Sequence, residues 1–251
     1  MFKDRWRLMP FHSATAAENM AMDEAVAEAI SFNEANPTIR FYGWNPSAVS
    51  IGCFQSMQDE VDLDACKELG MDRVRRRTGG GAVFHDSKGE ITYSVICPED
   101  MVEKDIGASY RQVCGWVIDG LRTVGLEAEF HPINDITIGG RKVSGCAQTR
   151  RQGIFTMHGT VLHTVDRERM FRVLRVGIAK QEDKALSNVG DRVAGVAELA
   201  NIEKDSLLLA LVGSFIKDKE WFLAGPGRDE AARAQAIAST KYGSDAWNLS
   251  R

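Results

Sequence analysis

The sequence predicts an α+β fold in which mixed, mainly antiparallel sheets pack with helices, or a mixed sheet that carries its helices on one side. Two strand-rich segments alternate with two long helical segments, and further helices close the chain. The strict β-α-β alternation of a Rossmann fold is missing. No internal repeat or Pro/Ser-rich linker divides the chain, so we expect a single domain over residues 1–251.

The first half of the chain alternates between helical and extended patterns. Ser13 or Thr15 can cap a first helix, which apolar residues four apart continue to about Ser31. After the next strand, an Asn-Pro-Ser turn predicts that the chain returns as the partner strand. In chain order the predicted elements are the helix to Ser31, the strands Ile39–Trp44 and Ala48–Phe54, the short helix Leu63–Leu69 and the strand Glu90–Cys97.

The second half contains a long amphipathic helix, a hairpin and a helical end. The helix spans about Gly107–Val124, and its apolar residues form one stripe. Two glycines, which tolerate positive φ, predict a tight turn between the strands Asp135–Ile138 and Arg141–Ala147. The remaining predicted elements are the strand Ile154–Val165 and the helices Arg167–Val176, Lys204–Lys217 and Asp229–Thr240.

Composition and charge exclude several classes of function. Lys and Arg number 31 against 35 Asp and Glu, and this mild acidity argues against nucleic acid as a partner. The longest wholly apolar run, Leu207–Val212, is far shorter than the roughly 20 residues of a membrane-spanning helix. The charged segment Met1–Arg7 lacks the apolar core of a signal peptide. Five scattered cysteines without a Cys-x-x-Cys pair fit a reducing cytoplasm, so we expect a cytoplasmic protein without a membrane partner.

The most informative segment is Arg75–Asp86, which contains three successive glycines after three arginines and a threonine. Glycines let a ligand approach main-chain N–H groups, and arginines bind carboxylate or phosphate. The residue order matches neither a Walker A loop nor Gly-x-Gly-x-x-Gly. The segment therefore predicts an anion-binding loop. A flexible hairpin tip beside solvated arginines and a nucleic-acid patch are the alternatives.

Two later segments supply further candidates. Lys142 begins a predicted strand among small residues, where it can stabilise a phosphate or a developing negative charge. Asp135 is a candidate magnesium ligand. The alternatives are a solvated lysine and a turn-capping aspartate. His158, followed by a glycine within a strand, indicates close approach of a ligand, or is a structural histidine.

Cys146 is the candidate nucleophile, provided that Lys142 or His158 stabilises its thiolate. It follows Lys142 by four residues, so both would share one face of an ideal strand. Reach alone therefore does not exclude a covalent mechanism.

Together and in this order, these segments resemble the lipoate–protein ligase family, within the wider fold of biotin and lipoate ligases and octanoyltransferases. Arg75–Asp86 matches the family signature of arginines, Gly-Gly-Gly-Ala-Val and His-Asp throughout. The family's Asn-Asp, Lys-x-Ser-Gly-x-Ala and His-Gly-Thr elements are matched at Asn134-Asp135, Lys142–Ala147 and His158–Thr160. The resemblance covers nearly the whole chain and implies the biotin/lipoate ligase-like fold.

The resemblance implies that ATP and Mg²⁺ activate lipoate to lipoyl-AMP, and that the lipoyl group passes to a lysine of a lipoyl carrier domain. This carrier would be like the glycine cleavage H-protein or a 2-oxoacid dehydrogenase E2. Lys142 would be the catalytic residue, in contact with the α-phosphate and the acyl carbonyl, and Asp135 would lie near magnesium. The implied substrate- and ATP-binding residues are Arg76, Thr78, Gly79, Gly80, Gly81, Val83, Phe84, His85, Lys142, His158, Gly159 and Thr160.

Two departures from the family pattern keep alternatives open. Many family ligases carry a C-terminal accessory domain that this sequence does not show, so we expect the chain to act with a separate accessory chain, to perform part of the reaction, or to dispense with that domain. The related octanoyltransferases form an acyl-thioester on a cysteine, but neither segment that would hold it, Ala128–Thr137 or Ile154–Met157, contains one. The sequence thus favours an ATP-dependent ligase. The alternatives are an octanoyl or lipoyl transferase that acts through an acyl-thioester without ATP, a non-catalytic module that binds the acyl group or the carrier domain, and a biotin ligase.

Overall fold

A computed structural model describes residues 5–175 and 192–251. These residues form two sheets and several helices. The strands are β1 Trp6–Ala14, β2 Thr38–Trp44, β3 Ala48–Ile51, β4 Asp72–Arg75, β5 Val83–His85, β6 Glu90–Pro98, β7 Ala128–His131, β8 Asp135–Ile138, β9 Arg141–Arg151, β10 Ile154–Leu162 and β11 Trp221–Leu223. The helices are α1 Ala16–Ser31, α2 Met57–Glu60, α3 Leu63–Glu68, α4 Ile106–Thr123, α5 Arg167–Val173, α6 Lys204–Ile216, α7 Arg228–Ile237 and α8 Asp245–Asn248.

The larger sheet has the strand order β11-β1-β2-β6-β10-β9-β8-β7. β1 pairs in parallel with β11 and β2, and the other neighbours in this sheet are antiparallel. The smaller sheet has the order β4-β3-β5, with one parallel and one antiparallel pair. This architecture confirms the predicted α+β fold of mixed, mainly antiparallel sheets.

Helices cover both faces of the larger sheet, so the alternative with helices on one side is wrong. Ile39 and Phe41 of β2 face a core that includes residues of α4 and α6. Arg40 and Tyr42, the alternate residues, are equally buried on the other face, where α1 packs. The sequence predicted this alternation correctly. It did not show that the polar face is also covered, because the partners of Arg40 lie on a distant helix.

The predicted strand Ala48–Phe54 ends at Ile51 and does not return along β2. It joins the smaller sheet between β4 and β5, and Val49 and Ile51 pack into a separate core under α3. The chain leaves the strand at Gly52, where an added Cβ would lie 2.2 Å from the Gly80 carbonyl oxygen. The smaller sheet therefore carries the glycine-rich segment.

Local capping and turn signals are confirmed. Thr15 caps α1, and Glu18 completes the capping box. Gly139 and Gly140 have φ values of 56° and 77° in the hairpin turn between β8 and β9. The described part of the chain contains no helix that is both long enough and apolar enough to cross a membrane.

The remaining differences concern the ends of elements and short strands. The predicted strand Ile154–Val165 ends at Leu162, and the last predicted helix ends at Ile237, where a π-helical turn follows. The helix predicted to Val176 ends at Val173, and Val176 lies outside the described residues. The sequence patterns did not predict the strands β1, β4, β5, β7 and β11 or the short helices α2 and α8.

Candidate functional site

A cavity of about 270 Å³ lies where the glycine-rich segment, β9, β10 and α5 meet. Most of the predicted site residues line it, namely Arg76, Gly80, Gly81, Val83, Phe84, His85, Lys142, His158, Gly159 and Thr160. The other three lie directly behind this wall. Thr78 contacts His158, Gly79 contacts Arg76, and Asp135 contacts Lys142. The fold thus brings the three predicted segments together around one cavity.

Arg76 holds the glycine-rich loop from its inner side. Its Nη2 donates hydrogen bonds to the carbonyl oxygens of Gly79 at 3.0 Å and Gly81 at 2.9 Å. Between them Gly80 has φ +94°, and an added Cβ would lie 3.3 Å from the same nitrogen. Gly80 is therefore required both for its backbone conformation and for the close approach of the guanidinium.

The guanidinium of Arg76 is occupied by protein partners. Nη1 donates to Ser50 Oγ at 2.7 Å, and Nε lies 3.4 Å from Thr78 Oγ1. Burial lowers the pKa of Arg76 to about 10, so the side chain remains a cation at neutral pH. The family resemblance implied that Arg76 binds the substrate or ATP. The observed hydrogen bonds show that Arg76 supports the glycine-rich loop. Contact between Arg76 and a substrate stays a prediction.

Lys142 presents its ammonium group beside the cavity. Nζ lies 2.7 Å from Asp135 Oδ1, and the two side chains are 41% and 30% exposed. The main chain of Lys142 is held by hydrogen bonds to Arg192 and Ala194. An added Cβ on Gly145 would lie 2.8 Å from Nζ, so this glycine makes room for the lysine side chain. Lys142 is therefore a positioned, partly solvated cation.

The described residues do not form a magnesium site by themselves. Asp135 already pairs with the Lys142 ammonium, which competes with a metal ion for the same carboxylate. Within residues 5–175 and 192–251, no group of three or more His, Cys, Asp or Glu side chains can hold a metal ion. The role of Asp135 as a magnesium ligand therefore stays a prediction.

Cys146 does not share a face with Lys142, and the sequence expectation is wrong on this point. The pairing of β8 with β9 shifts so that Val143 is an extra residue, which reverses the alternation. The Lys142 side chain lies on the Gly145 side of β9, whereas Cys146 Sγ lies 3.6 Å from Cys114 Sγ of α4, in the core. The hydrogen bond with Cys114 and burial raise the pKa of the Cys146 thiol. Its thiol is neutral at neutral pH.

His85 forms a buried polar cluster at one wall of the cavity. Its Nε2 lies 2.7 Å from Ser50 Oγ, and its Nδ1 lies 2.8 Å from Glu90 Oε1. The imidazole stacks on Trp44, with ring centroids 3.9 Å apart. Trp44 Nε1 also donates to Glu90, at 3.0 Å. The histidine is thereby fixed on three sides.

His158 forms a second such cluster. Its Nε2 lies 2.7 Å from Thr78 Oγ1, and its Nδ1 lies 3.5 Å from Asp23 Oδ2. Asp23 of α1 also pairs with Arg40 and accepts a hydrogen bond from Ser94 at 2.7 Å. Although burial opposes ionisation, Arg40 and His158 hold the pKa of Asp23 below its usual value.

Asp23 and Glu90 were not predicted from the sequence as site residues. One signal was present for Asp23. It follows Asn19 by four residues, so two polar side chains share a helix face that the neighbouring alanines and methionines mark as buried. Asn19 donates to the Gly43 carbonyl oxygen at 2.9 Å, which leaves Asp23 to bind the strand residues. Buried polar residues on an apolar helix indicate such distant partners.

Comparison with known proteins shows the family to which the chain belongs. The family model described as the lipoyl protein ligase A/B catalytic domain matches residues 15–216. The octanoyltransferase LipM of Symbiobacterium thermophilum is 34% identical over 97% of this chain and 98% of its own length. The octanoyltransferase LipM of Bacillus subtilis is 32% identical over the full length of both chains.

Solved structures of lipoate ligases have the same fold. A bi-partite lipoate protein ligase from Thermoplasma acidophilum, studied with its E2 lipoyl domain, is 30% identical with a TM-score of 0.86. The match covers 99% of this chain and 97% of that chain. A lipoate-protein ligase A with bound ATP is 28% identical with a TM-score of 0.85, over 99% of both chains.

Proposed function

Because this chain belongs to the lipoyl protein ligase A/B catalytic domain family, we propose that it transfers an octanoyl or lipoyl group to the ε-amine of a lysine in a lipoyl carrier domain. One observation carries the proposal. The Lys142 ammonium, the loop around Gly80 and His158 line the same cavity. A cation and a glycine-rich backbone beside one space suit a reaction in which a carbonyl oxygen gains negative charge.

In the proposed reaction, the amine of the carrier lysine attacks the acyl carbonyl carbon. The carbonyl oxygen becomes negative in the tetrahedral state, and Lys142 is the cation available to stabilise it. Asp135 keeps this ammonium in place through the 2.7 Å contact. The apolar lining suits the alkyl tail of the substrate and includes Val83, Phe84, Leu162, Val165, Met170 and Leu174.

The curated relatives favour an octanoyl thioester as the acyl donor, because they are octanoyltransferases. This is the transferase alternative, and it is better supported than the ATP-dependent ligase that the sequence analysis preferred. The charges of the cavity agree with an uncharged donor group. Its described lining carries Arg76 and Lys142 against the carboxylates of Asp86, Glu90 and Asp166, so it is not strongly positive.

The proposed transfer does not pass through Cys146. No other cysteine of the chain lines the cavity, and the Cys146 thiol is neutral and directed towards Cys114. The carrier amine therefore attacks the donor thioester directly. The C–N bond forms, the C–S bond breaks, and the donor leaves as a thiol.

ATP-dependent lipoylation is the second candidate, since two observations favour it. Cys146 is unsuited to the thioester chemistry of a cysteine-dependent transferase. The chain is also similar over its length to lipoate ligases, one of which was solved with ATP. In this route the carboxylate of lipoate is activated by ATP before the same carrier amine attacks.

We propose that the partner is an E2-like or H-protein-like lipoyl domain, which supplies the acceptor lysine. A separate accessory chain belongs only to the ligase alternative. The experiment uses a purified apo-lipoyl domain and intact-protein mass spectrometry. One mixture contains octanoyl-acyl carrier protein without ATP, and the other contains lipoate, ATP and Mg²⁺.

We expect octanoylation of the lipoyl domain in the first mixture. Product only in the second mixture would assign the ligase instead. A third mixture adds an accessory chain to the ligase components. The absence of product in all three mixtures would refute acyl transfer by this chain.

A further inference from the structure

The cavity runs across the strands of the larger sheet, and the strand register gives its direction. Gly145 of β9 lies opposite Thr160 of β10, which lies opposite Thr92 of β6, and Thr92 in turn lies opposite Tyr42 of β2. Residues directly opposite each other on antiparallel strands have their side chains on the same face. All four residues line the cavity. The cavity therefore extends along this row from β9 to β2.

The two ends of the row differ in chemistry. At the β9 end, Lys142 Nζ lies against Gly145. At the β2 end, Tyr42 and Trp44 are buried, cluster with Met20 of α1, and line the cavity together with it. In the proposed transfer reaction, on which this inference rests, the acyl carbonyl oxygen lies at the Lys142 ammonium. The alkyl chain then points towards the β2 end.

The distance between the two ends matches an eight-carbon chain. Neighbouring strands lie about 4.8 Å apart, so the three steps from β9 to β2 span about 14 Å. An extended octanoyl chain, with C–C bonds of about 1.5 Å, is about 9 Å long. The hydrogen bond from the ammonium to the carbonyl oxygen adds about 3 Å, and the radius of the terminal methyl group adds about 2 Å. The methyl end therefore reaches the wall of Met20, Tyr42 and Trp44.

Met20 is the adaptable part of this wall. Trp44 Nε1 donates a hydrogen bond to Glu90 at 3.0 Å, and its ring stacks on His85 with centroids 3.9 Å apart. The Tyr42 ring packs against Trp44, with centroids 5.9 Å apart. These contacts fix both aromatic side chains. Met20 contributes an unbranched, flexible side chain that apolar packing holds in place.

A second, smaller cavity of about 30 Å³ lies behind Met20. Among the described residues, Met20 and His158 line both cavities. His158 is fixed by the 2.7 Å contact between its Nε2 and Thr78 Oγ1, so Met20 is the part of the partition that a substitution can remove. Truncation of the Met20 side chain would join the two spaces.

We propose that Met20 limits the length of the acyl group, because it closes the β2 end of the cavity and separates it from the smaller cavity. An acyl chain of eight carbons ends against the methionine side chain, and two further carbons would need about 2.5 Å more. The smaller cavity has room for roughly one or two water molecules, which is too little to accept the displaced side chain. Longer chains are therefore excluded.

The test compares chain lengths within one reaction mixture. The full-length protein receives an apo-lipoyl domain and equal amounts of six-, eight-, ten- and twelve-carbon acyl donors, in the donor form that the wild type uses. Intact-protein mass spectrometry identifies the acyl group on each product molecule. The variants are Met20→Ala and Met20→Val. Met22→Ala is the matched control, because Met22 lies on the same helix and lines neither cavity.

We expect the wild type to favour the eight-carbon over the ten-carbon group by about tenfold or more, since one methylene in an apolar pocket changes specificity by about 10- to 200-fold. Met20→Ala should raise the ratio of ten- to eight-carbon product at least about tenfold. Met20→Val removes less volume and should raise it at least about threefold, so it reports on the same wall even if Met20→Ala does not fold. Met22→Ala should keep the wild-type ratio.

The ratio does not depend on how much of a variant is folded, so a loss of stability alone does not change it. A wild-type ratio in the Met20 variants would overturn the proposal. Equal use of eight- and twelve-carbon groups by the wild type would also overturn it, because no wall would then limit the chain. An equal rise in Met22→Ala would do the same, since it would show a general loosening of α1. A wild type that acylates the lipoyl domain with none of the donors would instead refute the proposed function.

Discussion

Replacement of Lys142 by alanine separates its catalytic contribution from its contribution to stability. The ion pair with Asp135 is 2.7 Å long, but its two side chains are 41% and 30% exposed. Ion pairs in such solvated positions contribute about 0–1 kcal/mol to the free energy of unfolding. The remaining Asp135 carboxylate stays accessible to water. We therefore expect the melting temperature of Lys142→Ala to change little.

The expected loss of activity is much larger. Removal of one preorganised group that stabilises a developing oxyanion typically lowers the rate by about 10²- to 10³-fold, or roughly 3–4 kcal/mol of transition-state stabilisation. The assay is the initial rate of carrier-domain acylation by mass spectrometry, beside thermal denaturation followed by circular dichroism. Lys67→Ala, on the exposed surface of α3, is the matched control. A folded Lys142→Ala with more than about a tenth of wild-type activity would refute the role of this ammonium.

The remaining predictions address the shape of the cavity and the thiol. Gly80→Val should abolish turnover of the acyl donor while lowering the free energy of unfolding by only about 1–3 kcal/mol. The reason is that valine strains a backbone at φ +94° and pushes against Arg76. An unchanged KM for the donor would show that the loop is only a turn. Gly145→Ala should reduce the acylation rate at least about tenfold with the fold intact. The new Cβ would lie 2.8 Å from Lys142 Nζ and displace that ammonium. Wild-type kinetics would mean that the lysine tolerates the shift. Cys146→Ser should keep near-normal acyl transfer, and the wild type should form no acyl adduct on a cysteine. An adduct that maps to Cys146 and is lost together with activity in the variant would instead support a covalent transferase mechanism.

The sequence was sufficient for elements that local interactions determine. The capping box of Thr15 and Glu18 fixes the start of α1, and the observed helix ends at the predicted Ser31. The glycines of the hairpin turn adopt the positive φ that their position required. In both cases the residues that decide the structure lie within four positions of one another, so a single sequence contains the whole signal.

Local sequence patterns did not determine which strands pair with each other. The strand Ala48–Ile51 is mostly apolar and fully buried, which suits either sheet equally. Its place between β4 and β5 depends on contacts with residues more than twenty positions away. The parallel strand β1 was missed because its C-terminal half is exposed and shows no buried alternation. Such pairings follow from the global arrangement, and the sequence pattern permits several of them.

In the candidate site, too, motifs predicted some residues and only the fold revealed others. The glycine-rich, lysine and histidine motifs were located from the sequence, and the fold brings all three to one cavity. The carboxylates that orient the two histidines were not assigned. Asp23 lies on α1, far along the chain from His158, and only the three-dimensional structure brings them within 3.5 Å.

The position of Cys146 illustrates why spacing is a weak basis for assigning a nucleophile. In an ideal strand, residues four apart share a face, which would place the thiol beside the Lys142 ammonium. The bulge at Val143 removes that relation by adding one residue to β9 opposite β8. The same bulge directs the Lys142 side chain over Gly145 and the Cys146 thiol into the core beside Cys114. A covalent mechanism at Cys146 would therefore require the thiol to leave the core and ionise, and its raised pKa opposes the second step. The chemistry that this site can perform thus depends on one inserted residue that no periodic pattern in the sequence reveals.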